Sequence, residues 1–383
     1  MRKTMKPTLA ALAALLALPL WLGAQSAEPE EVKAYRGSVY VQKQSTYTPS
    51  FDIDGKNKRV RNVILLIGDG MGQGAVNSGM YANGGALTLT NLRTIGYVRT
   101  QSADNFTTDS AASGTAYATG VKTNNGYLGK NPAKENIPNI PELLAPLGYV
   151  SGVVSTDDLN GATPAAFFAH QAARGDKEEI WADLPACSLT FASAGTQATF
   201  ESMPLSTQDA IKGRFKVVYD PHDPAVAGSD RLIYLPKSVN LDRGPYLPET
   251  TEMAIDYLSK RSKKGFFLMV EGARIDKHEH GNEFDGTVKE MLDFDKAIEA
   301  AIRFAEKDGH TLVIISADHE TGGTILSRAD PEDGFAAGVF ASKGHTPMMV
   351  PLFAYGPRSR EFNCIQENSD VANKILQILG AKK

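Results

Sequence analysis

Five short apolar runs, at residues 63–67, 149–154, 266–270, 312–315 and 350–354, show little polar alternation. A strand with one wet face alternates apolar and polar side chains. A run that stays apolar must be covered on both faces. Segments with helical spacing fall between the runs, at 164–174, 250–260 and 288–306, and another follows the last run at 371–379. Buried strands alternating with helices predict an α/β fold: a three-layer sandwich with a central, largely parallel sheet flanked by helices. At 383 residues the chain is long enough for one large domain of this kind.

Residues 1–26 read as a secretory signal peptide. Arg2, Lys3 and Lys6 precede an apolar stretch that Pro19 interrupts, and small residues follow at Gly23, Ala24, Ser26 and Ala27. The apolar stretch is short for a membrane span, so no stable anchor is expected, and the expected location is periplasmic or secreted. Residues 27–58 are polar, contain proline and lack periodicity, which predicts an exposed N-terminal arm. Residues 59–383 form the main domain, with an irregular insertion around 185–248. The net charge of −4 and the lack of a basic stripe argue against nucleic-acid binding. Export permits a disulfide between Cys187 and Cys364, but their spacing does not establish one, and two free thiols fit equally.

In parallel sheets, ligand sites form at the carboxyl ends of strands. Asp69, Glu271 and the pair Asp318-His319 each follow an apolar run closely. Asp276 and His280 stand four apart, so one helical turn would put both on one face and turn His278 away. His345 follows Gly344 in a loop. Each has a plain reading alone: a strand-end turn, a polar loop, a solvated histidine. Together, carboxylates and imidazoles delivered by several strand ends are what a multinuclear metal site needs. Ser110 lies in Thr107-Thr108-Asp109-Ser110, which can cap a following helix. There a hydroxyl meets free N–H groups and the positive end of the dipole, a setting that suits a bound anion. Thr163-Pro164 reads as a helix start and Arg174-Gly175 as its end. Arg174 either caps that helix or grips a phosphate through parallel N–H groups.

These segments resemble the alkaline phosphatase family. The matching stretches are Ile67-Gly68-Asp69-Gly70-Met71-Gly72, Thr108-Asp109-Ser110-Ala111-Ala112, Ala162-Thr163-Pro164-Ala165-Ala166, Val270-Glu271-Gly272, Arg274-Ile275-Asp276, Ala317-Asp318-His319 and Gly344-His345-Thr346, in the family's order. The resemblance implies a homodimeric phosphomonoesterase that takes small phosphate monoesters and uses two Zn2+ and one Mg2+. It implies that Ser110 is the nucleophile that becomes a phosphoserine, that Arg174 clamps substrate phosphate and that Asp109 orients Arg174. Asp276, His280 and His345 match the ligands of a first zinc. Asp69, Asp318 and His319 match those of a second. Asp69, Thr163 and Glu271 match a magnesium site. Lys277 stands where it either contacts phosphate through water or is simply solvated. Gly161 departs from the pattern, since members often carry Asp or His there, near the magnesium. The alternatives are a phosphodiesterase or sulfatase of the same superfamily, or an exported phosphate-binding protein without activity.

Overall fold

A computed structural model describes residues 35–382. The expected signal peptide at 1–26 and the start of the expected arm lie outside the described residues. Ten strands build the central sheet: β1 Asn62–Gly68, β2 Thr94–Arg99, β3 Val150–Ser155, β4 Phe191–Ser193, β5 Lys216–Val218, β6 Leu232–Tyr234, β7 Phe266–Gly272, β8 Thr311–Ser316, β9 Val350–Tyr355 and β10 Ile365–Glu367. Their spatial order is β10-β2-β9-β8-β1-β7-β3-β4-β6-β5. Only β9 runs against the other nine.

The central strands β1, β7 and β8 are buried at every position, as their unbroken apolar runs require. One face is covered by the helices Tyr246–Ser259 and Phe284–Asp308. The other carries Ser110–Thr119 and Asn368–Leu379, which pack on each other. The result is the expected three-layer α/β sandwich. Residues 185–248 contain β4, β5 and β6, each only three residues long, which extend one edge of the sheet. Residues 35–40 pair with Phe335–Phe340 in a small antiparallel sheet.

The helix expected over 164–174 is much shorter, covering Ala162–Ala165 with Gly161 as its N-cap. Tertiary hydrogen bonds take the chain out of the helix. Gln171 and Leu128 exchange backbone bonds of 2.9 Å each way, and His170 is held between the Gly129 carbonyl (2.8 Å) and Glu142 (3.0 Å). Arg174 therefore sits in a turn, its N–H donating to the Gly126 carbonyl at 2.8 Å, and does not close a helix. Cys187 is buried and Cys364 exposed, and both are free thiols.

Candidate active site

Strand register sets the carboxylates side by side. Ile67 on β1 lies next to Glu271 on β7 and Ser316 on β8, and Ser155 on β3 lies next to Glu271. Asp69 and Asp318 follow immediately past the same edge. Gly70 has φ +74°, and a Cβ there would approach the Asp276 Cα to 2.9 Å, so a glycine lets the two loops meet. The Asp276 N–H donates to the Asp69 carbonyl (3.0 Å) and the Thr321 N–H to the Gly70 carbonyl (3.2 Å).

Two groups of donor atoms result: Asp69, Asp318 and His319, and Asp276, His280 and His345. In each, one donor atom per residue lies within 4.8 Å of the others. Asp276 and His280 share a face of the helix Arg274–Gly281, with Asp276 Oδ1 3.2 Å from His280 Nε2, while His278 turns to Glu283 at 2.6 Å. His345 joins the groups. Its ring stacks on His319 with centroids 3.5 Å apart, and its Nε2 is 3.1 Å from His280 Nε2. Each ring is oriented through Nδ1: His345 by the Thr108 carbonyl (2.9 Å), His280 by the Lys343 carbonyl, and His319 by Thr321 Oγ1 (3.2 Å). Fixing Nδ1 leaves each Nε2 free to face the cluster, the arrangement usual in metal-ligating histidines.

Electrostatics makes this grouping costly without a cation. Asp69 is held well above the ordinary carboxylate range by burial and by the facing Asp318, Asp276 and Glu271. Glu271 is pushed up to about 8 by burial and by Asp157, and Asp318 to about 7 by burial and by Asp276. His319 is held well below its ordinary value by burial, then by His345, Arg174 and His280, so its lone pair is available as a ligand. Asp69 Oδ1, Asp318 Oδ2 and Thr163 Oγ1 are buried without a well-formed hydrogen bond: the two carboxylate oxygens have only His319 Nε2, at 3.5 and 3.2 Å, and the hydroxyl only Glu271. Such orphaned oxygens cost on the order of 1–3 kcal/mol each unless something completes them. Bound cations would relieve both burdens, so these residues fit the metals that the resemblance implies.

Ser110 begins the helix Ser110–Thr119, every residue of which is buried. Its small side chains let the helix lie close to the ligand loops. Ser113 donates to the Asp318 carbonyl (2.7 Å), and the Tyr117 hydroxyl donates to the Ala317 carbonyl (3.0 Å). The N-cap is Asp109. It accepts from the Ala112 N–H (2.9 Å), the Gly126 N–H (3.0 Å) and Arg174 Nη1 (3.1 Å). Ser110 Oγ lies 3.2 Å from His319 Nε2. Lys277 pairs with Asp157, and Thr163 and Glu271 are buried. All twelve residues singled out in the sequence thus lie at or beside one edge of the sheet. Residues not foreseen also serve it. Thr321 bonds both His319 and Asp276 (2.6 Å to the latter), Ser113 and Tyr117 tie the serine helix to β8, and Asp157 follows β3. Only Asp157 carried a usable signal, since it is an acidic residue just past an apolar run.

A parallel-sheet α/β protein with a serine at the first position of a buried helix, beside grouped carboxylates and imidazoles, is a hydrolase of the metal-dependent phosphoryl-transfer kind. The alkaline phosphatase family profile matches residues 60–203 and 228–337, and the chain belongs to that family. It is 30% identical to alkaline phosphatase 4 of Bacillus subtilis, over 85% of this chain and 90% of that protein. It is likewise 30% identical to the alkaline phosphatase of Escherichia coli, over 85% of this chain and 87% of that one. The solved alkaline phosphatase of the Antarctic bacterium TAB5 is 34% identical, with a TM-score of 0.80, over 86% of this chain and all (100%) of that one. The family is metal-dependent and acts on small phosphate monoesters. The unmatched residues 204–227 fall inside the segment 185–248.

Proposed function

We propose that this phosphatase hydrolyses phosphate monoesters through a phosphoserine at Ser110. The observation that carries the reading is the position of Ser110 Oγ: at a helix N-terminus, 3.2 Å from His319 Nε2, with Arg174 held alongside by Asp109. Asp276, His280 and His345 would hold one zinc, and Asp69, Asp318 and His319 a second. Asp69, Thr163 and Glu271 would hold magnesium, a hard cation suited to oxygen donors. Held there, a zinc pair would supply Lewis acidity that lowers the pKa of serine and water and neutralises developing charge.

The remaining steps belong to the chain itself. Arg174 binds two phosphoryl oxygens and aligns phosphorus with Ser110. Ser110 gives up its proton to solvent water, which later returns one to the leaving alcohol oxygen, and attacks phosphorus in line. The bond to the alcohol oxygen breaks, and that oxygen leaves with its electron pair and takes up a proton. Water then attacks the phosphoserine, the Ser110 Oγ–P bond breaks, and Ser110 regains its proton as phosphate departs. The free N–H groups at the start of the serine helix help to hold the dianion. Burial keeps His319 neutral, which suits it as a ligand and makes it a poor general base for a metal-independent serine mechanism. The sequence pattern of residues 1–26 supports export. No helix among the described residues is long and apolar enough to cross a membrane. The family resemblance supports a homodimer.

The test is hydrolysis of nitrophenyl phosphate at alkaline pH with zinc and magnesium, against bis-nitrophenyl phosphate and nitrophenyl sulfate. Monoester turnover should dominate and EDTA should abolish it. Ser110→Ala should cut it about 10³-fold or more, since removing a nucleophile typically has effects of this order or greater. Full activity in Ser110→Ala would remove the phosphoserine, and dominant diester or sulfate turnover would reassign the substrate.

A further inference from the structure

Strand β3 also ends in acidic residues at the carboxyl edge of the sheet, and none of the roles above uses them. Asp157 is held by its backbone on both sides. Its N–H donates to Ser155 Oγ (2.8 Å), and its carbonyl accepts from the Gly195 N–H (2.6 Å). The Ser155 hydroxyl in turn bonds Glu271. One hydroxyl thus links Asp157 to the carboxylate that, with Asp69 and Thr163, frames the magnesium position.

The Asp157 side chain has two destinations. Oδ1 pairs with Lys277 Nζ. Oδ2 fills the space above Gly161, where a Cβ would lie 2.5 Å from it and 2.8 Å from the Asp158 carbonyl oxygen. Gly161 has φ −62° and ψ 154°, a backbone any residue adopts. Glycine here provides room and is not needed for its conformation. Two residues along the chain, the Thr163 hydroxyl, 1% exposed, has no partner but the Glu271 carboxylate, and Asp69 Oδ1 has only His319 Nε2 at 3.5 Å. Glu271 is near enough to Asp157 for their charges to oppose each other.

The geometry points to Asp157 as an acidic residue of the third metal position, brought in from four residues earlier to the space that Gly161 leaves open, where it serves a hard divalent cation such as Mg2+. This deepens the magnesium reading of Asp69, Thr163 and Glu271 and rests on it. The family pattern places an acid or imidazole at residue 161 itself. This chain instead delivers negative charge from the preceding turn. The same carboxylate holds the Lys277 ammonium, so losing it would also leave a free positive charge at the rim of the cation position.

The experiment is calorimetric titration of Mg2+ into the zinc-loaded protein, with a thermal melt on each variant to establish folding. Asp157→Asn keeps the volume and removes the charge. It should weaken Mg2+ binding about 10-fold, the usual scale for groups supporting a metal site, with zinc content unchanged. Glu271→Gln should abolish Mg2+ binding. If Glu271→Gln abolishes it and Asp157→Asn stays within about twofold of the parent, Asp157 has no part in the site while the magnesium reading stands. If Glu271→Gln binds Mg2+ normally, both fall. Gly161→Ala should weaken Mg2+ by displacing the Asp157 carboxylate, and should cost nothing more in an Asp157→Ala background. Equal losses in both backgrounds would overturn the claim that the glycine makes room for Asp157.

Discussion

The floor of this site and its rim are built differently. Asp69, Ser110, Thr163, Glu271, Asp318 and His319 are all buried, and most stand at strand ends or on the serine helix, which is tied to the last residue of β8 and to the loop after it. Arg174, Lys277 and His280 keep 42%, 40% and 41% of their side chains exposed and come from a turn and a short helix. The floor concentrates charge where water cannot screen it, so its groups depend on one another and on a cation. The rim groups are partly solvated, so water screens them and they depend less on one another. Chemistry that needs a rigid nucleophile below and access for varied alcohols above fits this division.

The strongest way to break the contrast is to remove one histidine from each level. His319→Ala should lower kcat/KM by about 10³-fold or more, and excess zinc should not rescue it, because a buried donor has no ready substitute. His280→Ala should cost roughly 10- to 100-fold and recover in part at high zinc, since water can reach the vacated place. Steady-state kinetics across a zinc series reads both. Equal and unrescuable losses would show that exposure does not grade the two clusters.

A smaller effect should appear in stability. Glu271 and Asp318 are raised in the folded chain from 4.5 to about 8 and from 3.8 to about 7. Below about pH 3 both are protonated, folded or unfolded. As pH rises through this window the unfolded chain ionises while the folded one resists, so folding loses stability until the folded groups ionise too. The chelated protein should therefore lose roughly 5 °C or more in Tm between about pH 5 and pH 8. Zinc and magnesium should remove that slope by taking the place of the protons. A flat Tm in the chelated protein would mean that the floor carboxylates are better satisfied than their geometry indicates.

The same division explains what was legible in the sequence. Strands and floor were legible because burial on both faces leaves unbroken apolar runs, and acids directly after them stand out, as at Asp69, Glu271 and Asp318. The i,i+4 spacing of Asp276 and His280 was legible because it is local. An apolar run carries no direction, so the reversed strand β9 could not be told from its neighbours. The helix over 164–174 was overestimated because its end is set by partners far along the chain, Leu128, Gly129 and Glu142. Thr321, Ser113 and Tyr117 have roles that exist only once distant loops meet, and no local pattern marks them.

The gentlest probe of the rim is Asp109, which has three donors on two oxygens. Oδ1 accepts from the Ala112 N–H, and Oδ2 from the Gly126 N–H and Arg174 Nη1. Asn caps a helix about as well as Asp, so Asp109→Asn should leave the serine helix in place. Its NH2 group, however, must face either the Gly126 N–H and Arg174 or the Ala112 N–H, setting donor against donor. Losing a charge-assisted hydrogen bond of about 1.5 kcal/mol should raise KM about 10-fold, with kcat little changed. Arg174→Ala should raise KM about 100-fold, because both of its phosphate contacts go. If Asp109 works through Arg174, adding Asp109→Asn to Arg174→Ala should change almost nothing further. A fall in kcat as large as the rise in KM would show instead that Asp109 acts on Ser110 and belongs, in effect, to the floor.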